Sequence, residues 1–287
     1  MYKFPRTTVG GVSLSRMIIG TNWLAGWSHR SPSADRMIKE LHHSPASVAP
    51  MLQAYMENGV DTIMGPFAIM EPVYRAVKET EQKFGKPMFL IDTPIMNMAD
   101  SAEARREAAA TIAKSCELGA TFCMPHHSSV EKLVNRHTET IDRLEDYTKM
   151  IRDAGLIPGL SAHMPELVWF SDKNNYDVET YIQIYNCLGF LMQIEIETIA
   201  GIIHNAKKPV MTIKPMAAGR CTPYVGLNFS WATLRECDMV TVGAYRVDEV
   251  YENIEISRAA FERRFPGIEK RSSPNPNQGA FGAQRNV

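Results

Sequence analysis

Five ionisable side chains stand at or near the ends of short apolar runs in this chain: Asp92, His127, His163, Glu195 and Lys214. Two imidazoles and two carboxylates that converge form a divalent metal site, and the mixed nitrogen and oxygen set suits manganese, zinc, cobalt, iron or nickel. The candidate ligands are His127, His163, Glu195 and Asp92, with His126 in place of His127 if that strand shifts by one residue. No HExxH-type motif is present, so the fold itself must assemble the set. Lys214 lies in Thr-Ile-Lys-Pro-Met-Ala-Ala-Gly-Arg. A lysine inside a fold is a general acid/base, a Schiff-base nucleophile or a charge clamp on an oxyanion. The plain alternative for Lys214 is a salt bridge to Glu195 or Glu197.

Other residues suit the holding of a substrate. Trp23 and His29 follow the first apolar run, and Trp23 and Trp27 would stack on a sugar ring. Arg220 follows Lys214, while Tyr245 and Arg246 close the last run. The arginines fit a carboxylate, a phosphate or sugar hydroxyls.

Such groups need a scaffold that brings distant segments together. Short β-rich runs alternate with longer helical patterns, which implies βαβ units and a parallel sheet. Strands are read at 17–22, 60–65, 87–93, 121–127, 157–163, 190–197, 209–214 and 239–245. Helices are read at 46–58, 70–84, 101–118, 137–154, 177–188, 197–207, 227–237 and 247–264, three of them ended by Gly59, Gly119 and Gly155. Eight such pairs predict an α/β chain folded as a single (β/α)8 barrel, with its site at the C-terminal strand ends. No GxGxxG follows the first strand, as an open doubly wound sheet would want. Gly10-Gly11 predicts a short N-terminal β-hairpin over the barrel floor. The barrel is expected over 1–265 and an extended or flexible tail over 266–287, with 23–45 and 165–176 as candidate lids.

Side chains alternate along a strand. Setting the apolar parity against the helices turns Leu90 and Asp92, Cys123 and His127, Ser161 and His163, Glu195 and Glu197, Thr212 and Lys214, and Thr241, Gly243 and Tyr245 into the barrel. Charges buried together must satisfy one another, a metal or a substrate.

The 287 residues carry a formal net charge of −1 with the basic residues dispersed, so neither nucleic acid nor a membrane surface is indicated. The five cysteines form no CxxC, which fits a reducing cytoplasm. No apolar run reaches the ~18 residues of a membrane span, and the N-terminus has no signal-peptide core. A cytoplasmic enzyme for a small-molecule substrate is expected, with loop and tail aromatics favouring a homo-oligomer.

The two ends of the chain resemble the aldo-keto reductases. Thr7-Thr-Val-Gly-Gly-Val-Ser-Leu-Ser-Arg-Met-Ile-Ile-Gly-Thr-Asn22 is similar to that family's hairpin and first strand, and Gly59-Val-Asp-Thr-Ile63 to its second strand. Met239-Val-Thr-Val-Gly-Ala-Tyr-Arg-Val-Asp-Glu-Val-Tyr-Glu-Asn-Ile254 is similar to its last strand and helix. The resemblance implies the barrel. It departs at the catalytic tetrad: Asp61-Thr-Ile-Met-Gly-Pro-Phe67 has no matching tyrosine, and the third strand offers Asp92 and Thr93 instead of a lysine. Only His126 or His127 matches the family's strand-4 histidine.

The residues together point to a metal-dependent enzyme that abstracts a proton beside the carbonyl of a carbohydrate-derived or other polyhydroxylated compound, as an isomerase, epimerase or β-eliminating lyase. Lys214, Glu195 and His127 are its expected catalytic groups. The alternatives are a Lys214-dependent aldolase or lyase, a divergent NADP-dependent reductase, and a non-catalytic binding protein.

Overall fold

The computed structural model describes residues 3–268. The chain opens with an antiparallel hairpin, β1 (Arg6–Val9) and β2 (Val12–Ser15). Gly10 and Gly11 turn it with φ of 54° and 81°, the left-handed pair that a two-residue hairpin turn requires.

The barrel then follows in order. β3 (Met17–Gly20) leads through α1 (Asn22–Ala25) and α2 (Pro32–Leu41) to α3 (Pro45–Glu57). β4 (Thr62–Gly65) precedes α4 (Glu71–Phe84), and β5 (Phe89–Asp92) precedes α5 (Ala102–Glu117). β6 (Phe122–Cys123) gives way to the single turn α6 (His127–Val130), a small ribbon of β7 (Val134–Asn135) and β8 (Thr140–Ile141), and α7 (Leu144–Asp153). The fifth barrel strand comes in two pieces, β9 (Ile157–Pro158) and β10 (Leu160–Ala162), followed by α8 (Glu166–Asn174). β11 (Tyr181–Ile184) with α9 (Ile196–Asn205), β12 (Val210–Ile213) with α10 (Pro223–Thr233), and β13 (Met239–Gly243) with α11 (Val247–Phe261) complete it.

The strands pair in the order β10-β11-β12-β13-β3-β4-β5-β6-β9, and every pairing is parallel. The two edge strands are consecutive in the chain, so the sheet closes through Gly159 into a (β/α)8 barrel. A Cβ on Gly159 would stand 2.7 Å from Met124 Cε and 2.9 Å from the Thr180 carbonyl oxygen. Only glycine leaves room for that closure. The tail read at 266–287 lies, from 269 onward, outside the described residues.

The sixth strand is not where its alternation placed it. Residues 181–184 form it, all buried, whereas 190–195 run as exposed or half-buried loop into α9. Ile196, Ile199 and Ile203 form an i, i+3, i+7 stripe on that helix. The apparent two-residue period at 192–196 was the approach to a helical stripe. The expected helix at 177–188 is therefore the strand itself.

Two apolar layers follow. One large cluster packs strands against helices and holds Met17, Ile63, Leu90, Cys123, Leu160 and Val240, among many others. A smaller cluster fills the barrel with Ile18, Met64, Ile91, Phe122, Ile182 and Met211, and Val9 and Leu14 of the hairpin join it. The expected parity thus holds for β10 and β13 but is reversed for β5, β6 and β12, because both faces of those strands are apolar and the pattern carries little information. Beneath the sheet Asp238, fully buried, accepts hydrogen bonds from Val210 N at 2.9 Å, Arg235 N at 3.0 Å and the Arg235 guanidinium at 2.7 and 2.9 Å. It ties β12 to the start of β13.

Candidate active site

A cavity of about 690 Å³ opens at the C-terminal ends of the strands. Lys214, His126, His127, His163, His29 and Arg220 line it, with Trp23, Trp27 and Tyr245 as aromatic walls.

Lys214 follows the last residue of β12 and has φ of 62°. A non-glycine residue in the left-handed region is strained by about 1–2 kcal/mol. The twist has a geometric result: the successive residues Ile213 and Lys214 both line the cavity, which an extended strand forbids. Among the described residues no carboxylate pairs with the ammonium. Burial brings the Lys214 amine down from its ordinary 10.5 to about 8.

The imidazoles come from the neighbouring side of the barrel. His127 and His163 stack with centroids 3.6 Å apart and planes 17° apart, and His126 lies 4.2 Å from His127. Burial, helped by nearby cations, lowers His163 to about 3 and His126 to about 4, so both rings are neutral at pH 7. His126 Nδ1 accepts from Ser128 N at 3.3 Å, which leaves the ring proton on Nε2.

Glu131 was not among the expected residues, yet it organises this cluster. Its Oε1 accepts from His163 N at 2.6 Å and Met164 N at 2.9 Å, and its Oε2 lies 3.6 Å from His127 Nδ1. Burial would raise its pKa, but the contact with His127 and the two backbone donors outweigh it, and the carboxylate is held below its ordinary value. The legible signal was spacing: Glu131 stands four residues after His127, one helical turn on.

Trp23 stacks on Tyr245 at 5.4 Å. It also covers Gly243, where a Cβ would stand 2.9 Å from the indole Cδ1. Arg220 lies over the Phe190 ring at 3.9 Å and donates to the Ala217 carbonyl oxygen at 3.1 Å. His29 Nε2 lies 3.2 Å from Asn22 Nδ2. Thr241 Oγ1 and Asn253 Oδ1 are buried in the cavity wall without a hydrogen-bond partner among the described residues, so a polar ligand has groups to meet there.

The structure thus brings together Lys214, His127, His163, Trp23, His29, Arg220 and Tyr245. It separates the other three. Asp92 points away from the cavity toward α5, taking a 2.5 Å hydrogen bond from Ser115 Oγ and one of 3.0 Å from Phe67 N. Glu195 is exposed at the N-terminus of α9, since the sixth strand lies elsewhere. Arg246 turns to Asp248 at 3.0 Å and is exposed. The expected four-ligand metal site is therefore not assembled, and among the described residues no three His, Cys, Asp or Glu side chains are grouped to hold a metal ion. Asp61, in the stretch that resembles a reductase strand, sits at the opposite end of β4 in an ion pair with Arg6 at 2.8 Å.

Among the described residues no helix is long and apolar enough to cross a membrane. No family model matches the chain. No curated protein matches it either. Solved structures do. One is a Pseudomonas aeruginosa protein classed with the aldo-keto reductases, with a TM-score of 0.64 at 12% identity over 89% of this chain and 96% of that one. Another is a glycerol dehydrogenase from Gluconobacter oxydans, with a TM-score of 0.59 at 11% identity over 93% and 98%. A third is an aldo-keto reductase from Klebsiella pneumoniae in complex with NADPH, with a TM-score of 0.57 at 12% identity over 93% and 92%. At such low identity the likeness is one of architecture, and this chain has the barrel fold that the aldo-keto reductases share.

Proposed function

We propose that this protein is an enzyme acting on a carbonyl compound, with Lys214 as the group that meets the carbonyl. The observation that carries the reading is a buried amine in a cavity of ligand size with no carboxylate partner among the described residues. Near neutral pH such an amine exists in both forms. The neutral form attacks a carbonyl carbon to give a Schiff base and water, while the protonated form donates to a carbonyl oxygen. His126 and His163, uncharged at pH 7, add no fixed positive charge beside it. Arg220 and the Thr241 hydroxyl, which has no hydrogen-bond partner among the described residues, supply polar contacts for an oxygen-rich substrate body. Borohydride trapping tests the reading. Incubation with small aldehydes and keto acids, then borohydride, is expected to leave a reduced adduct on the Lys214 peptide, absent in Lys214→Met. Adducts spread over surface lysines with none on Lys214 would remove the nucleophile.

The shared fold favours a second reading, NADPH-dependent carbonyl reduction. The first turn of α11 does not fit a nucleotide phosphate, because it already carries Asp248 and Glu249, and Glu249 and Glu252 face the cavity. Arg30 and Arg220 are the cavity's arginines for such a group. Titration with NADPH reads this directly through Trp23 and Trp27: saturable quenching supports reduction, and flat fluorescence to millimolar cofactor counts against it.

A further inference from the structure

We propose that Cys187 and Cys221 form a redox modification site beside the cavity, which Cys221 lines, a thiol pair that closes to a disulfide between the loops following β11 and β12. The two sulfurs lie 3.9 Å apart, and both side chains are half-buried. A disulfide needs about 2.05 Å, so the sulfurs must travel about 1.9 Å, within reach of small side-chain rotations. The loops spring from neighbouring paired strands, which sets their roots side by side. They also touch at a second point, where Arg220 lies over Phe190. The Cys187 loop is a shaped turn: Asn186 Oδ1 accepts from Leu188 N at 3.2 Å and Phe190 N at 2.9 Å. Among the described residues no other two cysteines are hydrogen-bonded to each other; Cys116 is exposed, and Cys123 is buried near Ser115.

The chemistry is thiol–disulfide exchange with a low-molecular-weight disulfide such as glutathione disulfide. Burial and the neighbouring thiol push the Cys221 thiol up, and either member of the pair can attack first, Cys187 for example. Its thiolate attacks one sulfur of the reagent, the reagent's S–S bond breaks, and one glutathione thiolate leaves. Cys221 then loses its proton and attacks the Cys187 sulfur. The mixed disulfide breaks and the second glutathione leaves. Two protein thiols give up two electrons and two protons, and one disulfide becomes two thiols. The product staples the loop bearing Arg220 to the loop bearing Phe190.

The test is incubation of the native protein with glutathione disulfide, capping of the remaining thiols by alkylation, and non-reducing peptide mapping by mass spectrometry. The expected result is a Cys187–Cys221 linked peptide and two fewer titratable thiols, reversed by dithiothreitol. Either single variant, Cys221→Ser or Cys187→Ser, should stop at a glutathione adduct on the remaining cysteine and give no linked peptide. Alanine at either position serves if a serine variant unfolds. The proposal is overturned if both thiols remain free while exposed Cys116 is modified, or if each is capped separately without linking.

Discussion

Lys214 should titrate as a lysine near pH 8, and this can be measured without knowing the substrate. With its amine near 8 rather than the ordinary 10.5, about one-tenth is neutral at pH 7, against about one part in 3,000 for an ordinary lysine. The neutral fraction is thus ~300-fold larger. Competitive labelling with trinitrobenzenesulfonate across pH 6 to 11, followed by peptide mapping, should show Lys214 reaching half its maximal rate near pH 8. The same shift has a stability consequence. The folded state holds this proton less tightly than the unfolded chain, so the wild type is penalised below pH 8, gains stability between 8 and 10.5, and carries no penalty above. Lys214→Met lacks the penalty. It should be more stable in urea at pH 6 by about 1–3 kcal/mol, with the advantage fading as pH rises from about 8 to about 10.5. A labelling curve that rises only near pH 10, together with a destabilised methionine variant, would refute burial without a partner as the cause.

The remaining predictions concern the residues around the amine and below the sheet. Glu131→Ala strands the His163 and Met164 amide donors and should cost about 2–4 kcal/mol in urea unfolding. Because the Glu131 carboxylate is held low, its contribution is present above the unfolded carboxylate pKa and is lost as pH falls through the folded one, so the wild type should lose its advantage over the variant below about pH 4. Gly243→Ala places a methyl 2.9 Å from Trp23; it should cost about 1–3 kcal/mol and shift tryptophan emission, and unchanged emission would mean that the indole is loosely held. Asp238→Ala leaves the buried Val210 amide without its acceptor and the Arg235 guanidinium without its carboxylate partner, though still bonded to the Ala206 and Lys208 carbonyl oxygens, and should cost about 3–5 kcal/mol by thermal melting.

Much of the architecture was legible because it rests on local signals. Gly10-Gly11 marked the hairpin, and helix periodicity with terminal glycines located most helices. The misplacement at 190–197 had a local cause: Met192 and Ile194 of the approaching loop alternate with Ile196, the first residue of the helix, and so imitate a strand. Asp92 illustrates a different limit. An acidic residue at a strand end reads as part of a site, yet Ser115, 23 residues away, gives it a partner on the helix side.

The sequence by itself determined the eight-stave barrel, the hairpin beneath it and the end at which the cavity opens, because the period and length of apolar runs are properties of neighbouring residues. Tertiary structure decided which polar groups share that cavity. Strands with two apolar faces do not announce which side is inward, the one-residue twist at Lys214 overrides parity, and Glu131 acquires its role only when the start of the β10–α8 loop delivers two amides to its carboxylate.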